Sequence, residues 1–216
     1  MTTDIAAGII ERFASVPAAN VGDAQERFGV ASGLVPMWTG ARLAGPALTV
    51  WTRPGDNLYI HHALDIAKPG DIIVINGHGD LTRALIGDLI GIRAKSLGVG
   101  GFVIDGAVRD ADAMAELELP VFARGVTPAG PYKHGPGRLQ QPVAIAGVVV
   151  LPGDILVADA DGVVVVQQHE AEKVLVEAER IEAAEAEKRV AYANGYRREM
   201  ASAPGPVKTS NRNAKQ

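Results

Sequence analysis

The chain has 216 residues, of which 47% are hydrophobic and 21% charged, a composition typical of a globular protein long enough to bury a sizeable core. A formal net charge of -4 with scattered basic residues argues against nucleic acid as a direct ligand, and the lack of cysteine excludes disulfides, thiolate metal sites and a cysteine nucleophile. With neither a signal-peptide pattern nor an apolar run of about 18 residues, we expect a cytoplasmic protein without a membrane segment.

The first half of the chain is predicted to alternate helices with strands. Apolar residues at helical spacing predict a first helix around Ile5, Ile9 and Phe13, which Pro17 ends. Further helices are predicted from about residues 20–23 to 29, from the turn at 54–56 to about 68, over about 82–97, and from 109 to before 120. Strands are predicted at residues 45–53, 72–75 and 102–104, with turns at 69–71 and 105–106. This order is typical of right-handed crossover units, so we expect an α/β fold with parallel pairing.

The pattern changes after Val121. Residues 125–141 are rich in glycine and proline and predict a long loop of a kind that often carries function. Three short β-rich runs within residues 142–167 predict an antiparallel meander. A last helix is predicted from about Glu170 past Ile181, and residues 201–216 are expected to form a disordered tail behind a single domain over 1–200.

Three kinds of site are disfavoured by the residues present. The segment Gly77-His78-Gly79-Asp80-Leu81-Thr82 precedes a predicted helix but lacks the third glycine of a dinucleotide fingerprint, and a tight turn is the simpler interpretation. No two histidines have the spacing of helical zinc ligands, although His61 or His62 stays open as a catalytic group. No lysine lies in an apolar strand, which argues against a Schiff-base mechanism.

Carboxylates occur where strands are predicted to end or helices to begin: Asp80, Asp88, Asp105 and Asp110. They suit Mg²⁺ or Mn²⁺, which prefer oxygen ligands and keep several waters. Arg109 and Asp110 follow a predicted strand and open a helix, which places them at the carboxyl edge of the sheet, where ligands of α/β proteins bind. Arg109 could hold a carboxylate or enolate oxygen and Asp110 a metal. A helix cap by Asp110 and a surface salt bridge by Arg109 explain the segment equally well.

Several motifs together resemble one family. Gly87-Asp88-Leu89, then Gly98 and Gly101, then Val103-Ile104-Asp105-Gly106-Ala107-Val108-Arg109-Asp110 resemble the signature of the 4-hydroxy-4-methyl-2-oxoglutarate aldolase family, which also contains the regulator of ribonuclease activity A. The similarity extends to Asn20-Val21-Gly22-Asp23-Ala24, to Gly55-Asp56-Asn57 with His61, and to the segment from Pro152 to Val166.

The resemblance implies an α/β/β sandwich of the swivelling-domain type with a mixed parallel core, assembled as homotrimers or pairs of trimers with active sites at subunit interfaces. It implies Mg²⁺ or Mn²⁺ bound directly by Asp110 and through water by Asp88. It further implies that Arg109 contacts the pyruvyl oxygen and that backbone amides of Gly87, Asp88 and Leu89 hold the pyruvyl carboxylate. The family also uses a carboxylate from the C-terminal helix of a neighbouring subunit, which is left unassigned among Glu179, Glu182, Glu185 and Glu187.

On this resemblance we expect a metal-dependent pyruvate aldolase that cleaves 4-hydroxy-2-oxo acids, with oxaloacetate decarboxylation as a second activity through the same enolate. The ribonuclease-regulating branch lacks the metal-binding acid after the arginine, and the presence of Asp110 therefore favours catalysis. A non-catalytic protein that binds and inhibits a ribonuclease is the main alternative. A methyltransferase is disfavoured because no glycine-rich cofactor loop of the expected form is found.

Overall fold

The computed structural model describes residues 8–197. The chain divides into two compact units, one that ends at Glu182 and one that starts at Ala183. The α-helices in the described residues are α1 (Ile9–Ser15), α2 (Ala18–Ala24), α3 (Leu58–Ile66), α4 (Asp88–Ser96), α5 (Ala111–Glu116) and α6 (Ala171–Ala193), the last preceded by a 3-10 turn at Gln168–Glu170. The strands are β1 (Val30–Ala31), β2 (Val35–Pro36), β3 (Leu43–Thr52), β4 (Ile72–Ala84), β5 (Gly101–Val108), β6 (Val121–Val126), β7 (Gly137–Leu139), β8 (Val143–Ile145), β9 (Val148–Val150), β10 (Ile155–Asp159) and β11 (Gly162–Val166).

A mixed sheet forms the centre of the first unit. Its strand order is β1-β11-β10-β3-β4-β5-β6-β2, with β7 paired to β3 beside this path. The four central strands β3, β4, β5 and β6 run parallel to one another, and the strands on either side pair antiparallel. The predicted α/β fold with a mainly parallel core and antiparallel additions is confirmed.

Apolar layers cover both faces of the parallel strands. Side chains alternate between the faces along a strand, so Ile73 and Ile75 pack in a cluster with α3, α4 and α5, while Ile72 and Val74 pack in a cluster with the hairpin β8–β9. A third cluster joins β10 and β11 to α1, α2 and the first turns of α6. Burial on both faces explains why the central strands appear in the sequence as continuous apolar runs.

The helix predicted over about residues 82–97 is wrong in its first part. The strand β4 continues through Ala84, and α4 begins only at Asp88. The backbone N–H of Leu85 donates to Ala107 O at 2.8 Å, so a neighbouring strand supplies the partner that a helix would have supplied. The spacing of Leu85, Leu89 and Ile92 predicts one apolar helical face, but Leu89 and Ile92 are 74% and 51% exposed, whereas Leu85 is buried. These three residues therefore do not form one buried face of a helix.

Three other expectations differ from the structure. Asp105 and Gly106 lie inside β5 rather than in a turn, because they pair with Asn76 and Asp80 of β4. The Asp105 carboxylate is paired with Arg124 and accepts the Ala146 N–H at 2.8 Å. The predicted meander is two separate hairpins, since β8 and β9 form their own sheet while β10 pairs with β3. The glycine-rich segment predicted as a loop contains β7.

The expectations for the two ends of the chain are only partly tested by the described residues. The first helix begins at Ile9 within the described residues, and Ile5 lies outside them. The second helix starts at Ala18 and ends at Ala24, before Gly29. The predicted tail at residues 201–216 also lies outside the described residues, and the single domain over 1–200 stays a prediction.

The second unit contributes the end of α6 to the described residues, where Val190, Tyr192 and Tyr196 are exposed. Within residues 8–197, no helix combines the length and the apolar character needed to cross a membrane.

Candidate active site

The ends of β4 and β5 bring Gly87 and Arg109 to the same edge of the sheet. The strand β5 ends at Val108, directly before Arg109 and Asp110, and α5 starts at Ala111. The chain after β4 runs alongside, because the Arg109 N–H donates to Ile86 O at 3.0 Å. The carboxyl ends of parallel strands lie at the same edge of a sheet. The segment before α4 and the segment before α5 therefore lie side by side, as expected for a ligand site of an α/β fold.

The side chain of Asp110 does not cap its own helix. Asp110 occupies the N-cap position of α5 in a left-handed conformation, φ 56°, and makes no side-chain capping hydrogen bond. Its Oδ2 instead accepts the backbone N–H of Asp88 at 3.2 Å and lies 3.3 Å from Arg109 Nε. The capping alternative for Asp110 is therefore wrong, and the carboxylate faces the start of α4.

Gly87 is required for space rather than for backbone freedom. Its φ of -147° is an extended conformation that any residue adopts. A Cβ at this position would lie 2.5 Å from Asp110 Oδ2 and 2.8 Å from Arg109 Nε, closer than real contacts allow. Any side chain at residue 87 would therefore displace the carboxylate and the guanidinium together.

The N-terminus of α4 offers hydrogen-bond donors suited to an anion. The Asp88 N–H binds an oxygen of Asp110, and the Leu89 N–H binds Asp88 Oδ1 at 2.7 Å. The Gly87 N–H donates to no residue in the described part of the chain. The helix dipole adds a partial positive charge at this end. The resemblance implies a role only for the backbone N–H of Leu89, and the Leu89 residue is 74% exposed.

Arg109 borders a cavity of about 350 Å³ that is also lined by Asp110 and by Val126, Thr127 and Pro128. The Arg109 side chain is 40% exposed, which leaves the guanidinium accessible to a small anion. A larger cavity of about 560 Å³ lies elsewhere, between the segment after α2 and the start of α6. We place the candidate site at the smaller cavity because Arg109 and Asp110 both line it and Asp110 is hydrogen-bonded to the N-terminus of α4.

Asp110 and Asp88 are the residues that fit a divalent metal. Both are carboxylates at the start of a helix, and the Asp110 side chain is 39% exposed. Within residues 8–197 no cluster of three histidine or acidic side chains could hold a metal ion. Two carboxylates with water or outside ligands in the remaining positions match the chemistry of Mg²⁺ or Mn²⁺ rather than that of zinc.

The other carboxylates singled out from the sequence lie apart from this arrangement. Asp80 is bound by the N–H and hydroxyl of Thr82, at 3.1 and 2.8 Å. Asp105 is a buried structural acid held by Arg124. Of the four candidates, the structure brings together only Asp88 and Asp110.

The histidines have other surroundings. Burial lowers the pKa of His61, and the positive charges of Lys133 and Arg93 lower it further, so the neutral imidazole is favoured at neutral pH. His62 is exposed and packs edge-on against Tyr59. The glycines around His78 belong to β4 and do not open a helix, so the structure offers no dinucleotide-type turn there.

Two of the C-terminal glutamates are engaged within the first unit. Glu179 binds Arg12 at 2.8 and 2.7 Å, which holds the pKa of the Glu179 carboxyl below its ordinary value. Glu182 accepts a hydrogen bond from Asn20 at 3.0 Å. In the second unit Glu185 pairs with Arg189. The acid expected from a neighbouring subunit stays unassigned.

Asp56 and Asn57 belong to a motif visible in the sequence, but no role was predicted for either residue. The Asp56 side chain is fully buried and accepts the N–H groups of Leu58, His134 and Gly135 at 3.0, 2.7 and 3.0 Å. Asn57 is 3% exposed, and its Oδ1 accepts no hydrogen bond from the described residues. The Gly55-Asp56-Asn57 motif was the available signal. Asp56 organises the loop at residues 132–135, and Asn57 has an unused buried acceptor.

Comparison with known proteins identifies the family. The RraA-like family model, described as Aldolase/RraA, matches residues 18–165. A protein of Halalkalibacterium halodurans named "Putative 4-hydroxy-4-methyl-2-oxoglutarate aldolase" is 41% identical over 175 residues, which make up 81% of this chain and 83% of that protein.

Solved structures share both fold and sequence with the chain. An uncharacterized protein from Pseudomonas syringae gives a TM-score of 0.82 at 30% identity, over 90% of this chain and 96% of that one. RraAS2 of Streptomyces coelicolor, described as an unusual member of the RNase ES inhibitor RraA protein family, gives a TM-score of 0.78 at 30% identity, over 85% of this chain and 96% of that one. The chain belongs to the RraA-like family, Aldolase/RraA.

Proposed function

We propose that the chain is a divalent-metal-dependent aldolase that cleaves 4-hydroxy-2-oxo acids, such as 4-hydroxy-4-methyl-2-oxoglutarate, to pyruvate and a second carbonyl compound. The observation that carries the proposal is the position of the Asp110 carboxylate. It lies 3.2 Å from the Asp88 N–H and 3.3 Å from Arg109 Nε, with Gly87 clearing the space between them. The name of the relative that is 41% identical points to the same reaction.

The substrate carboxylate would bind at the N-terminus of α4. The Asp88 and Leu89 N–H groups already bind carboxylate oxygens of the protein, so their position suits an anion. A substrate carboxylate would replace these intramolecular contacts and would also meet the N–H of Gly87. The Arg109 guanidinium would then hold the 2-oxo oxygen by charge-assisted hydrogen bonds.

Asp110 would hold Mg²⁺ or Mn²⁺ directly, and Asp88 would hold it through water. When bound, such a cation supplies a Lewis acid that stabilises negative charge on the substrate's oxygens. Asp110 also balances the positive charge of Arg109 through their contact at 3.3 Å.

Cleavage begins with removal of the proton from the C4 hydroxyl. The C4–O bond becomes a carbonyl, the C3–C4 bond breaks, and its electron pair moves to the 2-oxo group, which becomes the enolate of pyruvate. Arg109 stabilises the charge on that oxygen as it develops, which is where electrostatic catalysis acts most strongly. We assign removal of the proton to a water near Asp110 and Asp88. Protonation at C3 then gives pyruvate.

Oxaloacetate should be a second substrate. Loss of carbon dioxide from its C4 leaves the same pyruvate enolate, so the same contacts of Arg109 lower the barrier. We therefore expect decarboxylation of oxaloacetate as a side activity, with the same dependence on the metal.

The test is a coupled lactate dehydrogenase assay for pyruvate, run with and without Mg²⁺ on several 4-hydroxy-2-oxo acids and on oxaloacetate. Asp110→Asn should abolish metal-dependent release, because asparagine keeps the shape and tolerates the left-handed conformation but loses the charge. Glu116→Gln, an acid-to-amide change at an exposed position on α5, is the matched control and should retain activity. Full activity in Asp110→Asn would contradict the proposal.

A non-catalytic function as an inhibitor of a ribonuclease is the competing proposal. It is favoured by the likeness to RraAS2, described as a member of the RNase ES inhibitor RraA protein family. It predicts that no tested 2-oxo acid yields pyruvate at any metal concentration. We rank it second because an inhibitory surface requires neither the Asp110 carboxylate at the start of α4 nor the side-chain-free position at Gly87.

The assembly we propose is a homotrimer or a pair of trimers with the sites at subunit interfaces. The first unit presents exposed apolar side chains beside the candidate site, including Leu89 at 74% and Val126 at 63%. Light scattering on the purified chain measures the mass directly. A monomer at the concentration of the activity assay would contradict this part of the proposal.

A further inference from the structure

Arg83 binds the loop at residues 127–132, beside the candidate site, through both terminal nitrogens of its guanidinium group. Arg83 lies at the end of β4, where Nη1 donates to Gly130 O and Nη2 donates to the Tyr132 hydroxyl, both at 2.9 Å. The guanidinium carbon also lies 4.1 Å from the centre of the Tyr132 ring. The arginine stem packs on Gly55, where a Cβ would come within 2.9 Å of Arg83 Cδ. These contacts fix both the loop and the arginine.

The same loop touches Arg109 on its other side. A Cβ at Gly130 would lie 3.2 Å from Arg109 Nη1, so the Arg109 guanidinium occupies the space next to this glycine and leaves little room for a side chain there. The loop is also tied to the ends of two strands, since Ala84 N–H donates to Ala129 O at 2.8 Å and Thr127 N–H to Val108 O at 2.9 Å. Gly130 therefore lies near two arginine side chains: Arg83 donates to its carbonyl, and Arg109 occupies the space where a Cβ would point.

Arg109 has few other contacts to set its orientation. Its Nε lies 3.3 Å from Asp110 Oδ2, and within residues 8–197 its terminal nitrogens donate no hydrogen bond. Its side chain is 40% exposed. The Arg109 side chain occupies the space beside Gly87 and Gly130, where a Cβ on either glycine would come close to it. If either glycine moved away, the Arg109 side chain could adopt other rotamers.

We infer that Arg83 is a positioning residue for Arg109, which acts by pressing Gly130 against the Arg109 guanidinium. The inference rests on the proposed function in taking Arg109 as the group that binds the oxygen of the pyruvyl unit. Arg83 makes no contact with substrate in this role. Its planar fork serves two acceptors at once while stacking on Tyr132, a geometry that lysine does not reproduce.

The experiment measures binding of oxalate, an analogue of the pyruvate enolate, by calorimetry in the presence of Mg²⁺. Arg83→Gln should weaken oxalate binding by about tenfold in the native background, since misalignment of one charge-assisted contact has this size of effect. In an Arg109→Gln background the same change should alter binding by less than about twofold, because the group that Arg83 positions is gone. Equal weakening in both backgrounds, or none in the native one, would overturn the inference.

Two further variants separate positioning from charge and from folding. Arg83→Lys keeps the charge and should behave like Arg83→Gln, so full rescue by lysine would also refute the inference. Tyr132→Phe removes only the hydroxyl acceptor and should weaken oxalate binding by about two- to threefold while leaving the fold intact. Arg42→Gln, a change of an exposed arginine that precedes β3, is the control and should bind oxalate as the native chain does.

Pyruvate release keeps this inference separate from the proposed function. If the native chain cleaves 4-hydroxy-2-oxo acids, kcat should fall roughly ten- to hundredfold in Arg83→Gln with little change in KM. The reason is that the negative charge of the enolate, which Arg109 stabilises, develops only in the transition state. If the native chain binds oxalate but releases no pyruvate, the proposed function fails and the oxalate cycle still decides the role of Arg83. If the native chain binds no oxalate, the inference about Arg83 fails, and pyruvate release alone decides the proposed function.

Discussion

Replacing Gly87 with alanine is the sharpest test of the site geometry. The backbone at residue 87 is extended, φ -147°, so alanine introduces no backbone strain. Its Cβ would lie 2.5 Å from Asp110 Oδ2, 2.8 Å from Arg109 Nε and 3.0 Å from Arg109 Cγ. Ordinary contact begins at 3.4 Å, so the carboxylate and the guanidinium must each move by about 0.5 to 1 Å. The methyl group therefore perturbs the two proposed functional side chains directly.

The expected cost falls on activity rather than on stability. A displacement of about 1 Å at reacting groups costs roughly a hundredfold in rate, or close to 3 kcal/mol of transition-state stabilisation. The free energy of unfolding should fall by only about 1 kcal/mol, because the clashing atoms belong to half-exposed side chains and alanine is a poorer N-cap than glycine by about this amount. The assays are kcat/KM for metal-dependent pyruvate release and the urea midpoint of unfolding.

Gly125→Ala is the matched control for this change. Gly125 lies on β6, and a Cβ there would meet only Leu81 Cδ2, at 3.8 Å, which is ordinary contact. This variant should keep native activity. Native kcat/KM in Gly87→Ala would refute the reasoning, since it would mean that the positions of Arg109 and Asp110 do not matter for the reaction.

Two further predictions concern stability. Asp56→Asn should lower the free energy of unfolding by about 3 kcal/mol at pH 7, because a fully buried carboxylate that accepts three backbone N–H groups is replaced by a neutral amide. Burial raises the pKa of Asp56, but hydrogen bonds from the backbone and the charge of Arg53 outweigh it and hold the pKa below its ordinary value. The stabilisation by Asp56 is therefore complete above about pH 4 and is lost as pH falls through the folded-state pKa. Urea melts of the native chain and of Asp56→Asn should differ less in stability as the pH is lowered. A difference in stability that grows in acid would contradict this. Phe102→Ala should lower the free energy of unfolding by about 3 to 5 kcal/mol in urea melts, because Phe102 is fully buried. Phe28 is 75% exposed, so Phe28→Ala should lower it by less than about 0.5 kcal/mol. Similar losses for the two variants would contradict the packing.

Local patterns predicted much of the fold. The run at residues 72–75 has the β-branched composition of a doubly buried strand, and it forms the buried part of β4. The same kind of signal placed Arg109 and Asp110 after a buried strand and at the start of a helix, and both lie there. The helix expected from Thr82 failed because Leu85 is buried by pairing with Ala107, a partner that local spacing does not reveal. The apolar spacing around Leu85 therefore identified neither the partner that buries this residue nor the exposure of Leu89 and Ile92.

The sequence by itself determined the parallel core and the arrival of Arg109 and Asp110 at a helix start, because these follow from local composition and spacing, whereas the start of α4 after Gly87 was not predicted. Only the tertiary structure decided that Asp110 turns away from its own helix toward α4, that Gly87 leaves room for two side chains, and that Gly130 separates Arg83 from Arg109. These are contacts between segments far apart in the chain. Their distances depend on how β4, β5 and the loop after β6 pack together, which no short stretch of sequence encodes.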